Sequence, residues 1–73
     1  MGGEVSEIEI TINGDVRRVP AGLDLPGLLA LLGLAPEVVV VEHKRKITRR
    51  TALAGVAVAG GDNIEIVHFV GGG

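Results

Sequence analysis

Ile8, Ile10 and Ile12 alternate with Glu7, Glu9 and Thr11, and the run stops at Asn13-Gly14. Strict alternation places the three isoleucines on one face of a strand. Asn-Gly supplies the two left-handed residues that a tight type I′ hairpin turn requires. The chain is therefore expected to double back at once, with Asp15 to Val19 returning antiparallel and Pro20 ending the pairing because it has no N–H. Val16 and Val19 lie an odd number of residues apart, which leaves room for a bulge near the turn. A two-stranded ribbon is only marginally stable alone, so the remainder of the chain has to cover the isoleucine face.

A cover follows directly. Asp24 is placed to cap a helix, Pro26 falls in its first turn and Gly33 just past its end. Leu25, Leu28, Leu29 and Leu32 occupy i, i+3, i+4 and i+7, a single apolar stripe on a helix expected over 25–32. Gly27 weakens that helix slightly. After Pro36 the run Val38-Val39-Val40-Val41 reads as a strand with both sides at least partly covered. Ile47-Thr48 fits a short edge strand, whereas 51–59 is small, aliphatic and without period. Gly60-Gly61-Asp62 forms a turn, and Ile64, Ile66, His68 and Val70 then alternate with Glu65, Val67 and Phe69 in a last strand. Strand, strand, helix, strand, short strand, strand is an α+β arrangement: a mixed sheet of four to five strands with one main helix on one face. This is the β-grasp, or ubiquitin-like, order, expected as a single domain over 1–73 with a flexible tail at 71–73.

Size and composition narrow the function. The chain has 73 residues, of which 47% are hydrophobic, with a net charge of −2, so it is too apolar and too weakly charged for intrinsic disorder. A domain this small hides only ~60% of its unfolded surface, which argues against a buried substrate cavity with a catalytic shell. No cysteine is present, so disulfides, thiolate nucleophiles, persulfides and Cys-containing zinc sites are excluded. Phe69 is the one aromatic residue, which disfavours nucleic-acid binding by base stacking. The apolar stretch over 25–41 is broken by Pro26, Gly27, Pro36 and Glu37 and is too short to cross a bilayer, and no signal peptide is visible. A cytoplasmic location without membrane contact is expected.

The side chains offer little chemistry. No nucleophile triad, phosphate loop or metal motif occurs, and His43 and His68 each read more readily as strand residues with satisfied rings than as ligands. The terminus does offer some. Gly71-Gly72-Gly73 follows a strand directly and has no Cβ, so it could pass through a channel too narrow for any side chain. The α-carboxylate of Gly73 would be the reactive group, and as a poor acyl donor it would need ATP-dependent activation by another protein. On composition alone an inert glycine end explains the tail equally well. With Ile64 and Ile66 turned to the helix, Val67 and Phe69 face away beside the tail. Phe69 then anchors a partner, or a bulge or twist turns it into the core. Arg17-Arg18 and the segment Lys44 to Arg50 contain every basic residue. They suit a solvated sheet edge or an acidic protein surface better than nucleic acid.

Several of these segments carry a family resemblance: Ile10-Thr11-Ile12-Asn13-Gly14, Val19-Pro20-Ala21-Gly22 ahead of Leu28-Leu29, Leu32-Gly33-Leu34 with Pro36-Glu37, then Gly61-Asp62, Ile64-Glu65-Ile66-Val67 and Val70-Gly71-Gly72-Gly73. Over about residues 7 to 73 the chain resembles the ThiS-type sulfur carriers of thiamine biosynthesis. It departs from them at Lys44-Arg45-Lys46 and Thr48-Arg49-Arg50-Thr51, where the family commonly has an Asn-containing turn and a Val-Pro-Arg-Ser-like segment. The resemblance implies a carrier that catalyses nothing itself and holds no permanent cofactor or metal. Gly73 would be adenylated with ATP by an E1-like, ThiF-type enzyme and converted to a thiocarboxylate by a sulfur donor system. A ThiG-type thiazole synthase would take the sulfur, Gly71 and Gly72 would thread the active sites, and Val67, Phe69 and Val70 would meet the partners. Three alternatives stay open: a carrier for molybdopterin, cysteine or tRNA thiolation, a ubiquitin-like modifier, and a plain binding module.

Overall fold

The computed structural model describes residues 6–68; Phe69, Val70 and the three terminal glycines, with the expectations attached to them, lie outside that range. The isoleucine strand and its return form as expected: β1 spans Glu7–Ile12 and β2 spans Asp15–Pro20. Asn13 and Gly14 both have left-handed backbones, at φ 51° and 85°. Two expectations here are corrected. The register runs one to one from Ile12↔Asp15 to Glu7↔Pro20, so there is no bulge and Pro20 stays paired. The odd spacing of the valines reflects opposite faces. Val19 is buried opposite Ile8, while Val16 is exposed opposite Thr11. Pro20 is tolerated because β2 is the edge of the sheet.

The helix α1, Leu25–Leu31, is capped at Asp24, whose Oδ1 accepts from the Gly27 N–H at 2.8 Å. Leu32 is its C-cap, one residue earlier than the leucine spacing suggests, and Gly33 follows at φ 76°. Gly27 proves well placed. A Cβ there would stand 3.1 Å from the Leu23 side chain and 3.2 Å from the capping oxygen. Leu25, Leu28 and Leu29 are buried and Leu32 packs against the same cluster, while Leu31 points to solvent.

Pro36–Val38 forms a turn of 3-10 helix, so the valine strand starts one residue later than its sequence suggests: β3 is Val39–His43. Val39 and Val41 are buried and Val40 is half-buried. A two-residue turn, Lys44-Arg45, leads to β4, Lys46–Thr48, at the other sheet edge. The aperiodic stretch contains 3-10 helix at Arg50–Gly55, which inserts Leu53 into the core. Ala57 then bridges to Asp24, and Val58 is also buried. Finally β5, Asn63–His68, runs between β1 and β3.

The sheet order is β2-β1-β5-β3-β4, with β5 parallel to β1 and every other pair antiparallel. One main helix covers one face, which is the β-grasp arrangement. Ile10, Ile12, Val41, Ile64 and Ile66 meet α1 in a single core. No helix among the described residues is long and apolar enough to cross a membrane.

Candidate functional site

The glycine end follows β5, a central strand of the sheet, so the position of the tail's base is set by what holds β5. On one side β5 pairs with β3 along its whole length, from His43↔Ile64 to Val39↔His68. On the other side the ladder to β1 is short, covering Thr11↔Asn63 and Ile12↔Ile64. It is extended by the hairpin turn. The Asn13 N–H donates to the Ile64 carbonyl at 2.9 Å. The Asn13 side chain then accepts from the Ile66 N–H at 2.8 Å and donates to the Ile66 carbonyl at 3.1 Å. A side-chain amide thereby stands in for one more residue of strand.

The root of β5 is fixed by Asp62. Its carboxylate is almost fully buried, accepts from the Ala59 N–H at 2.9 Å, and lies 2.7 Å from Nε2 of His43, itself largely buried. Burial pushes the carboxyl up, but the Ala59 and His43 hydrogen bonds, with the nearby positive potential of His43 and Lys44, outweigh it and hold Asp62 below its usual range. The His43 ring is thus satisfied inside the structure. No group of three or more His, Cys, Asp or Glu side chains among the described residues could hold a metal ion.

Two open grooves flank β5. On the helix side, at the end from which the tail departs, about 380 Å³ is lined by Ile12, Asn13, Arg17, Leu32, Leu34, Ile66 and His68. On the outer face, about 130 Å³ is lined by Val40, Glu42, Ile47, Glu65 and Val67. Val67 faces away from the helix, as the alternation of β5 implies, and is 59% exposed. It sits directly opposite Val40, and Glu42 is opposite both Glu65 and Ile47. The sequence reading identified Val67 but not its neighbours Val40 and Ile47. Their shared face follows from counting register back from the Lys44-Arg45 turn, a turn that carries no Gly or Asn to mark it.

A family model described as the ThiS family matches residues 10–73. Two thiazole synthases, from Magnetococcus marinus and Paramagnetospirillum magneticum, are 42% and 39% identical over 66 residues, which is 90% of this chain. The chain spans only 20% of the length of each of them. Among solved structures, the crystal structure of the thiamine biosynthesis protein ThiS from Geobacter metallireducens superposes with a TM-score of 0.76 at 34% identity. That match covers 90% of this chain and 100% of the other. The solution structure of a thiamine biosynthesis protein from the same organism gives 0.75 at 33% identity, covering 90% and 88%. A five-stranded β-grasp sheet and a family match running from β1 through the glycine end place the chain in one family: it belongs to the ThiS family.

Proposed function

We propose that this chain carries sulfur for the thiazole moiety of thiamine, as a cosubstrate of other enzymes, on the terminal carboxylate of Gly73. A carboxylate oxygen attacks the α-phosphorus of ATP on a ThiF-type activating enzyme and pyrophosphate leaves. Sulfide-level sulfur from a donor system then attacks the acyl carbon, forming the C–S bond as the C–O bond to phosphate breaks, and AMP departs with the original oxygen. The resulting thiocarboxylate is offered to a ThiG-type thiazole synthase. The absence of cysteine supports a carrier that does not hold its sulfur as a persulfide. ATP-dependent activation suits a cytoplasmic setting.

The observation that carries this reading is the extent of the family match, which includes Gly71, Gly72 and Gly73 together with the strand that delivers them. Two thiazole synthases containing a stretch similar to this chain support a synthase as the acceptor. In this reading Gly71 and Gly72 thread the partners' active sites, where any Cβ would obstruct passage. Val67, Phe69 and Val70 contact the partners at the base of the tail.

Intact-mass analysis with fragmentation tests it, after incubation with ATP, a ThiF-type enzyme and a sulfur donor. The expected result is exchange of one oxygen for sulfur confined to the 71–73 fragment. Oxidation of Met1 has the same nominal mass change, so localisation decides. A Gly72→Leu variant should keep its fold and remain unmodified. An unmodified wild-type terminus, beside a control carrier that is modified, would overturn the proposal, as would attachment of Gly73 to lysines of other proteins.

A further inference from the structure

The cations of residues 44–50 are not absorbed by the tail chemistry. Lys44, Arg45, Lys46, Arg49 and Arg50 are all exposed, and none forms an ion pair among the described residues. No carboxylate lies between Glu42 and Asp62, so the acidic residues of this net-negative chain lie outside the segment. Five of the seven basic residues thus cluster at the β4 edge without a carboxylate among them, while Arg17 and Arg18 lie on β2 at the opposite edge. Lys44 and Arg45 take both left-handed positions of the β3–β4 turn, at φ 53° and 68°, which Asn and Gly fill with less strain. An edge protected only against aggregation would need lysines along β4. It would not need cations in a strained turn beside an exposed apolar side chain, yet Ile47 is 69% exposed among them.

Register shows what this edge adjoins. Ile47 shares the outer groove with Val40 and Val67, so the groove runs from the strand end that leads to the tail toward the turn. Val39 pairs with His68 and His43 with Ile64, which puts the Lys44-Arg45 tip beyond the start of β5, at the opposite end from His68; the span from Ile64 to His68 alone is ~13 Å. Inside the groove Glu42 and Glu65 face each other, giving the surface a second pole of opposite sign. A surface with an apolar strip, a basic tip and an acidic centre can seat a complementary partner in one orientation.

We propose that the Lys44-Arg45 tip and the Val40–Ile47–Val67 strip form one docking surface for a protein partner that is acidic where it meets the tip. The proposal rests on the carrier reading for the identity of its probes, a ThiF-type activating enzyme and a thiazole synthase. The tip acts at a distance from the tail, so it governs capture and orientation and leaves the chemistry at Gly73 unchanged.

Association of the full chain with each of the two enzymes, measured from low to high ionic strength, tests this. Two double variants are compared with wild type: K44E/R45E reverses the charge, and K44N/R45G removes it while installing a favourable turn. At low salt, K44E/R45E should associate ~10-fold more slowly with at least one enzyme and K44N/R45G several-fold more slowly. The differences should shrink toward unity near 1 M salt, where screening acts within ~3 Å. Modification at Gly73 under saturating enzyme should be unchanged. On-rates equal to wild type at every salt, no binding to either enzyme, or a salt-dependent preference for single-stranded nucleic acid would each overturn the docking surface. Failure of the carrier reading is seen separately, as a wild-type terminus that gains no sulfur whatever the on-rates.

Discussion

Asn13 holds Ile66 by both of its backbone groups, accepting from the N–H at 2.8 Å and donating to the carbonyl at 3.1 Å, from a turn residue whose own φ is 51°. One residue thereby closes the first hairpin and ties it to the central strand 53 positions later in the chain. Asn is suited to both tasks, because it tolerates left-handed backbone and offers a donor and an acceptor with amide geometry.

Removing that side chain separates the two contributions. Asn13→Gly keeps the backbone conformation and loses both bonds, for an expected cost of about 1–2 kcal/mol. Asn13→Ala adds the strain of a left-handed non-glycine residue, for a total of about 2–3 kcal/mol. Urea unfolding should rank wild type above the glycine variant and the glycine variant above the alanine variant, with amide exchange at Ile66 accelerated in both. Equal stability of all three would show that the clamp contributes nothing.

Acid should act through Asp62. Its carboxyl is held below the usual carboxylate range in the folded chain, so its charged form contributes stability above the ordinary unfolded value of about 3.8. That contribution is lost as pH falls through the folded value. In Asp62→Asn the amide oxygen can still accept from Ala59, but the group no longer titrates. Stability measured from pH 7 to pH 2 should fall less steeply below ~4 in the variant than in wild type. Parallel curves would place the acid sensitivity elsewhere.

The parts legible from the sequence are those with local periodicity or turn chemistry. The isoleucine alternation, Asn13-Gly14, the Asp24 cap and the leucine stripe each state their structure within a few residues. Leu53 and Val58 carry no such signal. They sit singly among small residues and become core only because the segment docks on the start of α1, through Leu25 N–H to Val56 O and Val58 N–H to Leu23 O, both 2.9 Å. The His43–Asp62 contact likewise joins residues 19 apart with no motif between them. Of the candidate site, the outward direction of Val67 was readable from alternation. Its groove partners depend on the register of β3 with β4, which a Lys-Arg turn does not announce.

That turn should respond to a change of residue type. Left-handed backbone costs roughly 1–2 kcal/mol per non-glycine residue. K44N/R45G should therefore stabilise the chain by about 1–2 kcal/mol, read as a higher urea midpoint with unchanged slope. A lower midpoint would mean that the long side chains stabilise the turn in ways the backbone does not show. A gain in stability coupled to slower partner capture would mark the turn as a place where docking is favoured over folding.

Val67 provides the converse case, a residue whose truncation should cost binding and little else. It is 59% exposed opposite half-buried Val40, so Val67→Ala removes little buried surface and should change stability by less than about 0.5 kcal/mol. If the outer groove is where partners seat, the lost methyl groups leave a gap under the contact. Dissociation from the activating enzyme or the synthase should then quicken, with the on-rate and its salt dependence unchanged. The pattern is the opposite of that expected for Lys44 and Arg45, where association changes and the apolar contact does not. A Val67→Ala chain that dissociates from both enzymes as slowly as wild type would remove the groove from the interface and leave the basic tip acting alone.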